Sequence, residues 1–245
     1  MIKATNGRTF TPPSEPVRQD TTLRAQVQSV LRNAILNGQF EAGQKLVERE
    51  LCALTGASRS ILREALVNLE ANGLIERQSY RGFSVAQLSP RKVSEIFELR
   101  ATLETLAAEL FTERASAQEI AALSDALVEL EQCVASFDLG RMRAAKERYY
   151  DILFTGCRNE EIRRALENVI DRIYYLRSQS MMDSARREVS LVEMRRLTSA
   201  LVNRDQLAAR AASLAHLVAA RDAVLNLMAQ NQAEHNIKAE NGQTI

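Results

Sequence analysis

Two arginines four residues apart, Arg59 and Arg63, sit in the stretch LTGASRSILREALVNLEANGLIERQSYRGFSV, behind a glycine and beside two serines. At that spacing both leave the same side of a helix. A guanidinium fork suits a guanine edge as well as phosphate oxygens. Ser58 and Ser60 add short donors at the helix start, where free backbone amides and the helix dipole already favour a phosphate. Downstream, Tyr80, Arg81 and Gly82 would form the tip of a strand pair. Glycine there permits close backbone approach, and arginine can enter a minor groove. The chemistry on offer is contact with duplex DNA; the alternative is an arginine face that is merely solvated.

A second set of charges lies where apolar residues are expected. Val93, Phe97, Leu103, Ala107 and Leu110 form one helical stripe, with Arg100 and Glu104 within or beside it. Lys146 continues another stripe with Met142, Tyr149 and Leu153. A charge facing a core needs a partner or a ligand. For Arg100 the two readings are a carboxylate ligand held bidentately and an internal pair with Glu104. For Lys146 the alternative is an ammonium that snorkels to water.

These residues must be positioned by two different kinds of structure. Leu23 to Leu36 is helical in period and closes on Asn37-Gly38; Val47 to Thr55 is a second short helix ended by Gly56. Ser58 is the expected N-cap of a third, running to about Ala71 before Asn72-Gly73. LIERQ and GFSVA alternate as a two-stranded hairpin, and FEAGQKL reads as a turn. Helix, glycine turn, polar helix and hairpin together make a winged helix-turn-helix. After Ser89-Pro90 strand signals stop, and helices are expected near 90–113, 117–136, 140–156, 160–181, 186–203 and 205–229, as an all-α bundle. The expected organisation is a flexible arm over 1–20, the winged domain over 21–87, the helical domain over 88–230 and a disordered tail over 231–245.

Composition limits the function classes. With 32 Lys and Arg against 31 Asp and Glu, bulk electrostatics would not hold the chain to nucleic acid, so contact must be local. No apolar run approaches membrane-spanning length and no secretory leader is recognisable, which predicts a cytoplasmic protein with no membrane partner. Cys52, Cys133 and Cys157 are scattered and odd in number, fitting reduced core thiols. No nucleophile set, phosphate-binding glycine loop or carboxylate pair is present, and two histidines offer little for acid–base work, so an enzyme is not expected.

The segment LVERELCALTGASRSILREALVNLEANGLIERQSYRGFSV resembles the DNA-binding domain of the GntR family of bacterial transcription regulators. The resemblance implies that Arg49, Ser58, Arg59, Ser60, Arg63, Arg81 and Gly82 stand where members of the family touch DNA. Ile61 replaces a proline common in the family, which removes a pre-set helix start without removing a contact. SEIFELRATLETLAAELF is similar to the opening helix of the FadR-type ligand-binding domain, FCD, and six helices suggest its VanR branch. By that resemblance Arg100 projects into an effector cavity. Many such domains hold a divalent metal through one Asp and three His. Here Lys146 occupies the Asp position, Tyr150 and Met194 the places of two histidines, and only His216 keeps its type.

One imidazole beside an ammonium is a poor metal site, so no metal cofactor is expected. Arg100, Lys146, Tyr150 and His216, with Glu104 and Met194 around them, would bind a small anionic effector directly. The implied function is an effector-responsive regulator, most often a repressor, binding a near-palindromic operator as a homodimer. The competing reading is a ligand-independent DNA-binding scaffold whose degenerate cavity is filled by its own side chains.

Overall fold

The computed structural model describes residues 22–78, 82–136, 138–167, 169–181 and 183–241. The chain divides into two compact units. One takes the residues up to Gln87 together with Asn168–Tyr175, the other Leu88–Glu167 and everything from Leu176.

The first unit is built from α1 (Leu23–Leu36), β1 (Lys45–Leu46), α2 (Glu48–Thr55), α3 (Arg59–Ala71), β2 (Ile75–Gln78) and β3 (Gly82–Val85). Thr22 caps α1 by accepting from the Ala25 amide at 3.3 Å. Gly56 ends α2 in the left-handed region, with φ of 68°, and two residues later Ser58 starts α3 by accepting from the Ile61 amide at 3.4 Å. The turn between the helices is therefore fixed at both ends by local chemistry.

The sheet has three strands in the order β1-β3-β2, both pairings antiparallel. This corrects the two-stranded expectation: Lys45 pairs with Ser84 and Leu46 with Phe83. Two residues are too short to show alternation, so FEAGQKL reads as a turn alone. Leu31 and Ile35 of α1, Leu62, Leu66 and Leu69 of α3, and Phe83 and Val85 of β3 form one buried core.

The second unit contains α4 (Pro90–Arg114), α5 (Ala117–Ala135), α6 (Leu139–Gly156), α7 (Glu160–Glu167), the end of α8 (Ile170–Ser180), α9 (Ser184–Val202) and α10 (Gln206–Asn241). The expected helix over 160–181 is two helices, and the break was not legible because it carries neither Gly nor Pro and the apolar period runs through it. Among the described residues seven helices follow Pro90 instead of the expected six, so the helix count does not single out the VanR branch. The last helix also runs past 229 to Asn241. Ala, Gln, Glu and Lys there are good helix formers, and polarity alone does not end a helix. Residues 1–21 and 242–245 lie outside the described residues.

Ser116 and Glu119 form a reciprocal capping box at the start of α5, at 2.9 and 3.2 Å. The α4 helix packs on α10, α5 on α6, and α9 on α10. Gly156 faces Phe111 so closely that a Cβ there would lie 2.4 Å from the Phe111 Cε2. Arg204 takes a positive φ of 55° after α9 and donates to the carbonyls of Thr112 and Ala115 at 2.8 and 2.7 Å. It thereby satisfies backbone acceptors left open at the end of α4.

The segment of α8 that belongs with the first unit is anchored by polar contacts. Asp171 is buried, accepting from Arg32 Nε and from Asn72 Nδ2 at 2.8 Å. Tyr174 and Tyr175 pack against the core of that unit, and the Arg32 guanidinium lies 5.1 Å from the Tyr174 ring centroid.

Candidate functional site

In the first unit, α2, the Gly56 turn and α3 carry the expected polar residues at exposed positions. Arg49, Ser58, Arg59, Ser60 and Arg63 are all exposed. The Ser58 hydroxyl is engaged in capping, which leaves Arg59, Ser60 and Arg63 as the outward groups of the first turns of α3. Arg63 is steered by Glu48 of α2, whose two carboxylate oxygens accept from its Nε at 3.1 and 3.0 Å. At the wing, Gly82 is exposed, takes φ of 83°, and has open space where a Cβ would stand. Tyr80 and Arg81 lie outside the described residues. Polar helix, tight turn and wing form the DNA-reading arrangement of a winged helix-turn-helix.

The second unit holds a buried polar cluster. Arg100 and Glu104 of α4 are each 1% exposed. The Arg100 Nε donates to Glu104 Oε1 at 2.7 Å, and Arg177 Nη2 of α8 donates to Glu104 Oε2 at 3.0 Å. One carboxylate thus bridges two guanidiniums. The internal Arg100–Glu104 pair is present, yet it uses only the Nε of Arg100. Both terminal amines, Nη1 and Nη2, are buried with no hydrogen-bond partner among the described residues. Burial would raise the Glu104 carboxyl, but Arg100 and Arg177 outweigh it and hold Glu104 below its ordinary value.

Lys146 of α6 is also buried, and its Nζ donates to the Ser190 hydroxyl of α9 at 3.2 Å. Loss of hydration, then the positive charges of Arg177, Arg186 and Arg100, lower its pKa to about 7. The reading of a lysine snorkelling to water does not hold for this side chain. Arg186 pairs bidentately with Glu193 at 3.0 and 2.7 Å. Glu193 also meets the His216 Nδ1 of α10 at 2.7 Å. Burial lowers the His216 pKa to about 4 although Glu193 pulls it upward, so the imidazole is neutral near pH 7.

Tyr150 lies under the Arg177 guanidinium, and burial raises its phenol pKa. Met194 is buried one turn beyond Ser190 on α9.

All six residues named for an effector site are therefore buried in one helical unit. Sequence reasoning missed Arg177, Arg186, Ser190 and Glu193. A signal existed for Arg177, which directly follows Leu176 in the apolar run that begins at Ile173. For Arg186 the adjacent Arg187 and Glu188 mask any such signal, whereas Glu193 follows the apolar Leu191-Val192 and could have been singled out.

The donor set does not fit a divalent cation. Arg100, Arg177, Arg186 and Lys146 bring positive charge, the His216 Nδ1 is already used by Glu193, and the other residues at the family's ligand positions are a phenol and a thioether.

A winged DNA-reading unit followed by an all-helical unit with a polar interior defines a DNA-binding transcription regulator rather than an enzyme. The chain belongs to the GntR family: residues 23–85 match bacterial regulatory proteins of the gntR family, and residues 95–219 match the FCD domain. It is 32% identical over 174 residues to the uncharacterized HTH-type transcriptional regulator YdhC of Bacillus subtilis (strain 168), covering 70% of this chain and 77% of that protein. It is 27% identical over 145 residues to the HTH-type transcriptional repressor GlaR of Escherichia coli (strain K12), covering 58% and 66%. The fold is shared with E. coli McbR/YncC, with a TM-score of 0.73, 21% identity, and coverage of 85% of this chain and 99% of that one. No helix among the described residues is long and apolar enough to cross a membrane.

Proposed function

We propose that the protein is a cytoplasmic, effector-responsive repressor that binds a near-palindromic operator as a homodimer. The observation that carries the DNA half is the exposed set Arg59, Ser60 and Arg63 on the first turns of a helix that Ser58 caps. Arg59 and Arg63 would reach base edges or phosphates in the major groove, Arg49 would hold the backbone, and Tyr80, Arg81 and Gly82 would meet the minor groove. Dimerisation multiplies modest half-site affinities. Exposed apolar residues at helical spacing, Leu99 and Leu106 on α4 and Leu214 and Val218 on α10, supply a surface for a second copy.

The effector half rests on Arg100, whose guanidinium lies over the Phe97 ring and whose terminal amines are buried with no hydrogen-bond partner among the described residues. A small organic anion would complete that fork with no metal, Lys146 standing where the family places its metal ligand. Binding changes operator affinity only if the ligand favours one arrangement of the dimer. Operator binding by fluorescence anisotropy tests the DNA half. Arg59→Ala should lose at least tenfold in specific affinity with unchanged helicity and sedimentation, and equal affinity would refute the recognition-helix assignment. A thermal-shift screen of organic acids separates a sensor, stabilised by one anion class, from a scaffold indifferent to all of them.

A further inference from the structure

The winged unit is completed by residues far downstream in the chain, since Asn168–Tyr175 belong to it. Asp171 is buried there, and its carboxylate divides its oxygens between two helices. One accepts from Arg32 Nε of α1, and the other accepts from Asn72 Nδ2 at 2.8 Å. Asn72 is the C-cap of α3, its own backbone amide returning to the carbonyls of Asn68 and Glu70. The next residue, Gly73, takes φ of 72°, and a Cβ there would stand 3.0 Å from the Arg172 Cδ. The C-terminal end of α3 is thus held by Asp171 and touched by Arg172.

The apolar core between α1 and α3, with Val27, Leu31, Leu62, Leu66 and Leu69, holds the two helices together without fixing their angle, because apolar contact is non-directional. Hydrogen bonds to a carboxylate are directional and short. With 13 residues, α3 is roughly 20 Å long, so a tilt of about 3° at one end moves the other by about 1 Å. Base edges are read through bidentate contacts that tolerate little such error, whereas phosphates are met by long side chains and bulk charge.

Building on the reading of α3 as the recognition helix, we infer that Asp171 is a positioning residue for operator recognition. Acting through Asn72 and Arg32, it fixes the angle at which α3 presents Arg59, Ser60 and Arg63. The Gly56 turn and the Ser58 cap set one end of the helix, and Asp171 sets the other.

The test uses the full chain. Fluorescence anisotropy compares an operator duplex, selected by the wild-type protein from a random pool, with a scrambled duplex of the same composition. Asp171→Ala should lose at least tenfold in operator affinity while its affinity for the scrambled duplex stays within about twofold. Asp171→Asn, which keeps the shape and one acceptor, should show a smaller loss with the same selectivity, and it serves as the test if Asp171→Ala does not fold. Asp171→Asn/Asn72→Asp, which restores the amide and carboxylate in exchanged places, should recover part of the operator affinity.

Unchanged operator affinity in the folded variant, or equal loss on both duplexes, would overturn the inference, the second result marking a role in stability alone. Either would leave α3 as the recognition helix. Full operator affinity in Arg59→Ala would remove that assignment, and the inference with it.

Discussion

The Arg177 guanidinium lies over the Tyr150 ring, its Cζ 3.4 Å from the ring centroid, while its Nη2 donates to Glu104. The contact with a ring face and the pairing with a carboxylate together hold a charged side chain in a buried position. A phenol where the family places a histidine acts here as the floor on which an arginine rests.

Glu104 is the hinge of this arrangement, because its two oxygens serve two different arginines. Glu104→Gln would leave both guanidiniums facing a neutral amide. The expected loss is about 3–5 kcal/mol, read as a drop in denaturant midpoint at constant slope. Adding Arg177→Met to that variant should recover part of it, since the second uncompensated charge is then gone.

His216 should leave a signature in acid. Its folded pKa of about 4 lies below the ordinary 6.5, so the unfolded chain binds the extra proton between those values. Stability contributed by the neutral imidazole is complete above pH 6.5 and is lost as pH falls toward 4, a change on the order of 3 kcal/mol. Urea unfolding across that range should show a shallower slope in His216→Asn, and an identical slope would mean that the imidazole is not the responsible group.

Gly156 predicts intolerance to a single methyl group. A Cβ there would sit 2.4 and 2.6 Å from two Phe111 ring atoms and 3.5 Å from the Ala115 Cβ. Gly156→Ala should therefore destabilise by about 1–3 kcal/mol through overpacking, whereas the same change at most exposed helix positions would stabilise. Thermal denaturation of Gly156→Ala beside Phe111→Leu/Gly156→Ala checks this, the pair recovering stability if the clash is the cause.

Glu48 restrains Arg63 on the proposed DNA face. Glu48→Gln removes a negative charge and loosens the Arg63 Nε, which is held at 3.0 and 3.1 Å. Non-specific DNA affinity should rise several-fold at low salt, and the salt dependence should steepen by about one phosphate equivalent. Anisotropy titrations between 50 and 200 mM salt measure it, and unchanged affinity would show that Arg63 does not approach a phosphate.

The winged unit was legible because its signals are local. Gly56, Ser58 and Asn72-Gly73 mark where helices stop and start, and cap chemistry acts over three or four residues. The short β1 was not, since two residues carry no period. Nor was the membership of Asp171, Tyr174 and Tyr175 in that unit, which depends on contacts made about a hundred residues away in the chain. In the helical unit Arg100 and Lys146 stood out as charges on apolar stripes. Arg186 did not, because Arg187 and Glu188 beside it are equally charged, and Glu193, although it follows Leu191-Val192, was passed over.

The interior of the helical unit contains a set of mutually dependent charges, and this ties those residues into a common fate. A neutral residue in place of Lys146 alters the balance felt by three arginines on three other helices. Single substitutions here are thus less tolerable than matched ones, and lasting change should come by paired exchanges, a lost cation accompanied by a lost carboxylate. Change within this cluster should proceed in correlated steps between α4, α6, α8 and α9.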